Sequence, residues 1–178
     1  IWLTTVYTAA ADYYVRRGEN KEARKMIHRG LSLYPNSAYF KHRAELGDPE
    51  ALFVLGNFYF DPPKGSSFRR NYKKAAEFYF KASIRDYPAA QYNVAIMLHQ
   101  GLGFKKDTTE SYAWFYIASV NANPVAKHIN NKTAMIVEQL KAEMPQEQLT
   151  QAQTKIENYQ GIIKSKRYRD AKLPAQSN

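Results

Sequence analysis

The chain has 178 residues, 26 Lys and Arg against 16 Asp and Glu, a formal charge of +10, and no cysteine. That length suits one domain or one continuous repeat array, and the lack of cysteine excludes disulfides, thiolate metal sites and cysteine nucleophiles. The 44% apolar share, with 14 Tyr and 9 Phe, supplies large side chains for a core; the positive charge favours acidic partners, and no apolar run approaches the ~18 residues that span a bilayer.

The sequence opens on Ile1 rather than methionine, so the expectation is a processed or trimmed form with an upstream segment removed. Residues 11–37, "ADYYVRRGENKEARKMIHRGLSLYPNS", place Tyr14, Gly18, Ala23, Gly30 and Pro35 at the spacing of a helical hairpin of roughly 34 residues. Asn20 is the expected N-cap of its second helix, and Pro35 its stop. A linking helix is expected over 38–48, capped by Ser37.

Three similar junctions follow: "DPEA" at 48–51, "YPAA" at 87–90 and "NPVA" at 123–126. Their prolines, Pro49, Pro88 and Pro124, lie 39 and then 36 residues apart. Ala51, Leu52, Leu55, Phe58 and Tyr59 recur at helical spacing after the first, and Ala90, Val94, Met97 and Leu98 after the second. The second halves also match, since "KAAEFYFKAS" at 74–83 lies over "ESYAWFYIAS" at 110–119. Breaker-rich loops, "DPPKGSS" and "GLGFKKD", separate the halves. Each unit therefore reads helix, loop, helix, over 49–86 and 87–122.

Gly56 is the anomaly, because glycine inside a helix costs about 1 kcal/mol relative to alanine. Its counterpart in the next unit is Ala95. A slot that admits only small residues marks a close helix crossing. Ala75, Ala76, Ala82, Ala113 and Ala118 are the matching small sites on the partner helices. Beyond Val125, "AMIVEQLKAEM" at 134–144 is amphipathic, and Pro145 opens a further helix through 165 with the stripe Leu149, Ala152, Ile156, Tyr159 and Ile163. Residues 123–167 thus read as capping helices and 168–178 as a frayed, flexible tail. The whole chain, 1–178, is expected to be one all-α domain, an α-solenoid of antiparallel helix pairs.

On these residues the sequence resembles the Sel-one-like repeats, relatives of the tetratricopeptide repeat. The likeness rests on "AELGDPEALFVLGNFYF…YKKAAEFYFKAS" and "AAQYNVAIMLHQGLGFKKDTTESYAWFYIAS". Gly101, Gly103 and Asp107 fit the family's loop; the first unit departs from it, with Gly65 alone and no matching Asp. The segment 11–37 looks like a tetratricopeptide hairpin. The resemblance implies a right-handed superhelix that binds partners on its concave face, as a non-enzymatic adaptor of a bacterial envelope assembly or a host interaction, with a periplasmic or envelope location. By analogy with tetratricopeptide geometry, that face carries Phe53, Asn57 and Phe60, then Tyr92, Ile96 and His99, continued by Asp12, Val15 and Arg16. The alternative for Phe53, Tyr92 and Ile96 is packing against the next repeat.

No set of residues asks for catalysis, a metal or a cofactor. His28, His42, His99 and His128 lie far apart without HExxH spacing. "GLGFKKD" lacks the pattern of a phosphate loop and follows no strand. Ser66, Ser67, Ser83, Ser111 and Ser119 have no nucleophile-elbow context, and Glu77 and Glu110 read as surface carboxylates without a paired acid. Two basic clusters carry the competing reading, a binder of acidic polysaccharide or nucleic acid. They are "FRRNYKK", with Arg69, Arg70, Lys73 and Lys74, and "KSKRYRDAK", with Lys164, Lys166, Arg167 and Arg169. The second could also lie against an anionic membrane.

Overall fold

The computed structural model describes residues 38–62 and 68–177, with Tyr13, Arg17, Glu19, Lys21, Glu22 and Lys25 as isolated positions. The hairpin expected over 11–37, including Asp12, Val15 and Arg16, lies outside the described residues, as do 63–67 of the first unit's loop.

Seven α-helices follow one another among the described residues: α1 (Ala38–Glu45), α2 (Pro49–Phe60), α3 (Tyr72–Ser83), α4 (Pro88–Gln100), α5 (Thr108–Ser119), α6 (Lys127–Glu143) and α7 (Gln146–Ser165). Short 3-10 turns at Pro124–Ala126 and Tyr168–Asp170 precede α6 and follow α7. Local chemistry sets the boundaries. Pro49 and Pro88 start α2 and α4, where a missing N–H costs nothing. Asp48 accepts from Ala51 N at 2.7 Å, and Asp107 from Glu110 N at 2.8 Å. The first unit has no aspartate at that second position, but Asn71 accepts from Lys74 N at 3.0 Å and performs the same service. Such caps are each worth about 1 kcal/mol. Gly101 ends α4 in the left-handed region at φ 73°.

The helices pack as an α-solenoid: α2 on α3, α3 on α4, α4 on α5, and α5 on both α6 and α7. Helix α5 is therefore enclosed, and Tyr112, Ala113, Trp114, Phe115, Ile117 and Ala118 are all buried. The partner alanines expected from the sequence, Ala75, Ala76, Ala82, Ala113 and Ala118, have no exposed surface. A Cβ built on Gly56 would stand 2.5 Å from Tyr79 Cδ1 and 2.6 Å from Cε1. The tyrosine ring thus occupies the space that a methyl group would need. At the equivalent slot Ala95 is fully buried, and Ser111 Oγ donates to its carbonyl oxygen at 2.8 Å.

Polar bonds fix the junctions between units. Gln91, fully buried, donates from Nε2 to Ser83 O and to Asp86 Oδ1, both at 3.2 Å. Asn121 Nδ2 donates to Asp86 Oδ1 at 2.8 Å and to Gln91 Oε1 at 2.9 Å. These bonds hold Asp86 at φ 63°, a left-handed conformation that non-glycine residues rarely adopt.

Glu110, expected on the surface, is 5% exposed. Lys155 Nζ of α7 lies 2.6 Å from its Oε2, and Tyr159 OH donates to its Oε1. The Tyr159 ring also lies against Trp114, with centroids 4.4 Å apart. Burial, and then the Glu110 charge, pushes the Tyr159 hydroxyl well above the ordinary tyrosine range. The C-terminal stretch, expected to be frayed, is instead pinned back onto the array. Lys105 N donates to Ala175 O at 2.6 Å, Phe104 and Gln176 form an isolated antiparallel bridge, and Gln176 Nε2 reaches Lys73 O at 3.3 Å. Pro174 is buried beneath it. Backbone pairing, invisible to a hydrophobicity pattern, accounts for the difference.

Gly56→Ala should lower unfolding free energy by about 1–3 kcal/mol through overpacking against Tyr79, although alanine is the better helix former. A denaturant titration that shows stabilisation would refute the crossing. The raised tyrosines set a pH dependence. Tyr79 and Tyr159 keep their protons in the folded chain above pH ~10, where unfolded tyrosines lose theirs. Their neutral-state stabilisation is complete below pH ~10 and is lost progressively above it. Melting temperature should therefore fall on the alkaline side, and less steeply for Tyr159→Phe.

Candidate partner-binding site

The face of α2 carries Phe53, Asn57 and Phe60 at i, i+4 and i+7, all half-buried, and α4 carries half-buried Tyr92 and Ile96 with exposed His99. The structure brings the first three together around Tyr79 of α3. Tyr79 OH donates to Asn57 Oδ1 at 2.7 Å. Its ring lies 5.6 Å from Phe53 and 6.3 Å from Phe60, and Asn93 of α4 is a hydrogen-bonding neighbour of the same hydroxyl. Burial drives the Tyr79 hydroxyl far above the ordinary range, and Asn93 offsets only part of that. The hydroxyl therefore acts as a neutral donor. Asn57 spends its oxygen on it, which leaves the Asn57 amide N–H groups as the donors on this face.

The second half of the face is held differently. Tyr92 meets Phe115 edge-on at 6.0 Å, and Lys132 of α6 places Nζ 4.7 Å above the Tyr92 ring. Phe115 occupies in the second unit the place that Tyr79 has in the first, but without a hydroxyl to offer. Phe53, Tyr92 and Ile96 all pack against the core while keeping part of their surface in solvent. They belong to both alternatives, packing and exposure. Tyr79, buried, and Asn93, half-buried, were missed because neither is an exposed position of its helix, and exposed Lys132 because it lies on a capping helix that was not assigned to this face. Read from the sequence, alanines of α3 stand against Gly56, whereas it is the Tyr79 ring that fills the space there.

The two basic clusters are separated. Arg69, Arg70, Lys73 and Lys74 are exposed at the start of α3, with Arg70 paired to Asp61 at 3.0 Å and Lys74 lying 5.1 Å from the Tyr59 ring centroid. Lys164, Lys166, Arg167 and Arg169 are exposed at and beyond the end of α7, with Arg167 3.4 Å from Asp170. That second region touches the far end of α3, where Arg85 stacks on Tyr168. The 12 residues of α3 span about 18 Å, so the clusters do not form one patch. Among the described residues no group of three His, Asp or Glu could hold a metal ion, and no helix is long and apolar enough to cross a membrane. His99 and His128 are both exposed.

The family model of the Sel1 repeat matches residues 49–87 and 88–119. A crystal structure of a protective antigen present in uropathogenic Escherichia coli strains, displaying an SLR fold, superposes with TM-score 0.59 at 26% identity, over 98% of this chain and 34% of that one. A Sel1 repeat protein from Oxalobacter formigenes gives TM-score 0.43 at 20% identity, over 72% of this chain and 88% of that one. Among curated proteins, chitin synthase regulatory factor 3 of Schizosaccharomyces pombe is 36% identical over 85 residues, 48% of this chain and 9% of that protein. The chain thus spans about a tenth of that relative and a third of the antigen.

Proposed function

We propose that this chain, which carries two Sel1 repeats over 49–87 and 88–119, is a non-enzymatic adaptor that holds a protein partner on the face shared by α2, α4 and α6. Proteins with these repeats are generally protein-interaction adaptors. The observation that carries the reading is the Tyr79 cluster. Phe53, Asn57, Phe60 and Asn93 surround one buried hydroxyl, so aromatic surface and amide donors stand side by side in fixed orientation. Rigid aromatic anchors beside unspent donors suit capture of a peptide segment, because little entropy is lost when they engage. Asp12 and Arg16 would extend the same surface toward the N-terminus.

An envelope or host-facing role, in the periplasm or at the cell surface, is supported by the likeness to the uropathogenic antigen. The polyanion reading is the weaker one, since its two clusters occupy opposite ends of α3.

Ile96→Glu with His99→Glu alters this face at one half-buried and one exposed position. The pair should weaken capture of the native partner, identified by affinity purification from the source cells, by at least about tenfold. Arg69→Gln with Arg70→Gln should leave capture unchanged. Retention of the partner by the first pair, or its loss with the second, would overturn the assignment.

A further inference from the structure

A second concavity lies at the far end of α3, away from the Tyr79 cluster. The end of α3 and the segment 168–173 line an open cleft of about 300 Å³, a size within the usual range of small-molecule sites. Its floor is apolar: Phe80 and Ile84 are each 3% exposed, and Leu173 leans over the mouth at 39% exposure.

The charges around this floor do not balance. Lys81, Arg85 and Arg169 line the cavity, against the single carboxylate of Glu77. Glu77 is already an acceptor for Gln176 Nε2 at 3.4 Å. Arg85 is half-buried, donates from Nη1 to Lys81 O at 2.7 Å, and stacks on Tyr168 with 4.7 Å from its guanidinium carbon to the ring centroid. No carboxylate among the described residues forms an ion pair with Arg85, Lys81 or Arg169. Loss of hydration on burial lowers the Arg85 pKa, with the charge of the Tyr168 hydroxyl group only partly opposing it. The guanidinium is held in place, with its Nε and Nη2 edge beside Gly47, yet carries no paired anion, and a carboxylate compensates such a charge.

We propose that this cavity binds a small amphiphilic carboxylate, its apolar body on Phe80, Ile84 and Leu173 and its head group held by Arg85 and Arg169. Neither half of such a ligand suffices. A bare anion leaves the apolar floor wet, and a neutral chain leaves the guanidinium uncompensated. The site is independent of the partner-binding reading, because it uses no residue of the α2/α4 face.

Octanoate, octanol and inorganic phosphate are the probes, titrated into the full chain with methyl NMR of Ile84, Ala171 and Leu173 as the readout. Octanoate should shift these methyl signals saturably, with octanol and phosphate each at least about tenfold weaker. Arg169→Gln, at an exposed position, should weaken octanoate at least about fivefold. Arg85→Lys, which keeps the charge but loses the fork, should do the same with the circular dichroism spectrum unchanged. Leu173→Trp, which fills the mouth, should abolish binding. Ile96→Glu should leave it intact. Equal affinity for octanol and octanoate, phosphate binding that matches octanoate, or an unchanged affinity in Arg169→Gln would each overturn the site.

Discussion

Everything in this array depends on how closely α2 and α3 cross at Gly56. The Tyr79 ring fills the volume where any side chain at position 56 would begin. That single fit has two consequences. It sets the spacing of the first helix pair, and it carries the Tyr79 hydroxyl through the crossing to the other side of α2. There the hydroxyl meets Asn57 and Asn93 between Phe53 and Phe60. Core packing and site construction are thus one event. The ~1 kcal/mol helix penalty of glycine is offset by a buried aromatic and an oriented donor.

The second unit shows what happens when the same register is filled otherwise. Ala95 replaces Gly56 and Phe115 replaces Tyr79, so the crossing persists without a hydroxyl. Polarity on that stretch of the face comes instead from α6, through Lys132 above Tyr92. The face is therefore graded: amides beside aromatics at its first half, a cation over an aromatic at its second. Equivalent positions in a repeat array need only conserve the packing function, and the outward chemistry is free to vary from unit to unit.

Much of the fold could be read from the residues, because its signals are local or periodic. Prolines at the helix starts, the 3.6-residue stripe and the small-residue slots each map to a feature of the described structure. Phe53, Asn57 and Phe60 fall on one face of α2, and Tyr92, Ile96 and His99 on one face of α4, since register alone decides that. What escaped were pairings between distant segments. Gln91 meeting Asn121, Glu110 meeting Lys155, and the 171–176 stretch bonding to Lys105 all depend on where the chain returns, over separations that no pattern encodes. The two basic clusters, far apart in sequence, also stay apart in the fold, at opposite ends of α3.

Charge burial at the C-terminal end fits this logic. A hydrophobic stripe of Ala152, Ile156 and Ile162 would let α7 slide along α5, because apolar contacts are indifferent to small shifts. The Glu110 carboxylate accepts from Lys155 and Tyr159 on successive turns of α7, and a slide of one turn would leave it buried without either. Losing one partner of such a group costs about 3–5 kcal/mol, more than a few ångströms of apolar mismatch. Once α7 is fixed, the chain beyond it has a defined starting point. The turn at Lys166, with φ 57°, sends Tyr168 onto Arg85 and the following residues back along α3. The cavity beside Arg85 therefore exists because a buried carboxylate two helices away fixes the register of the last helix.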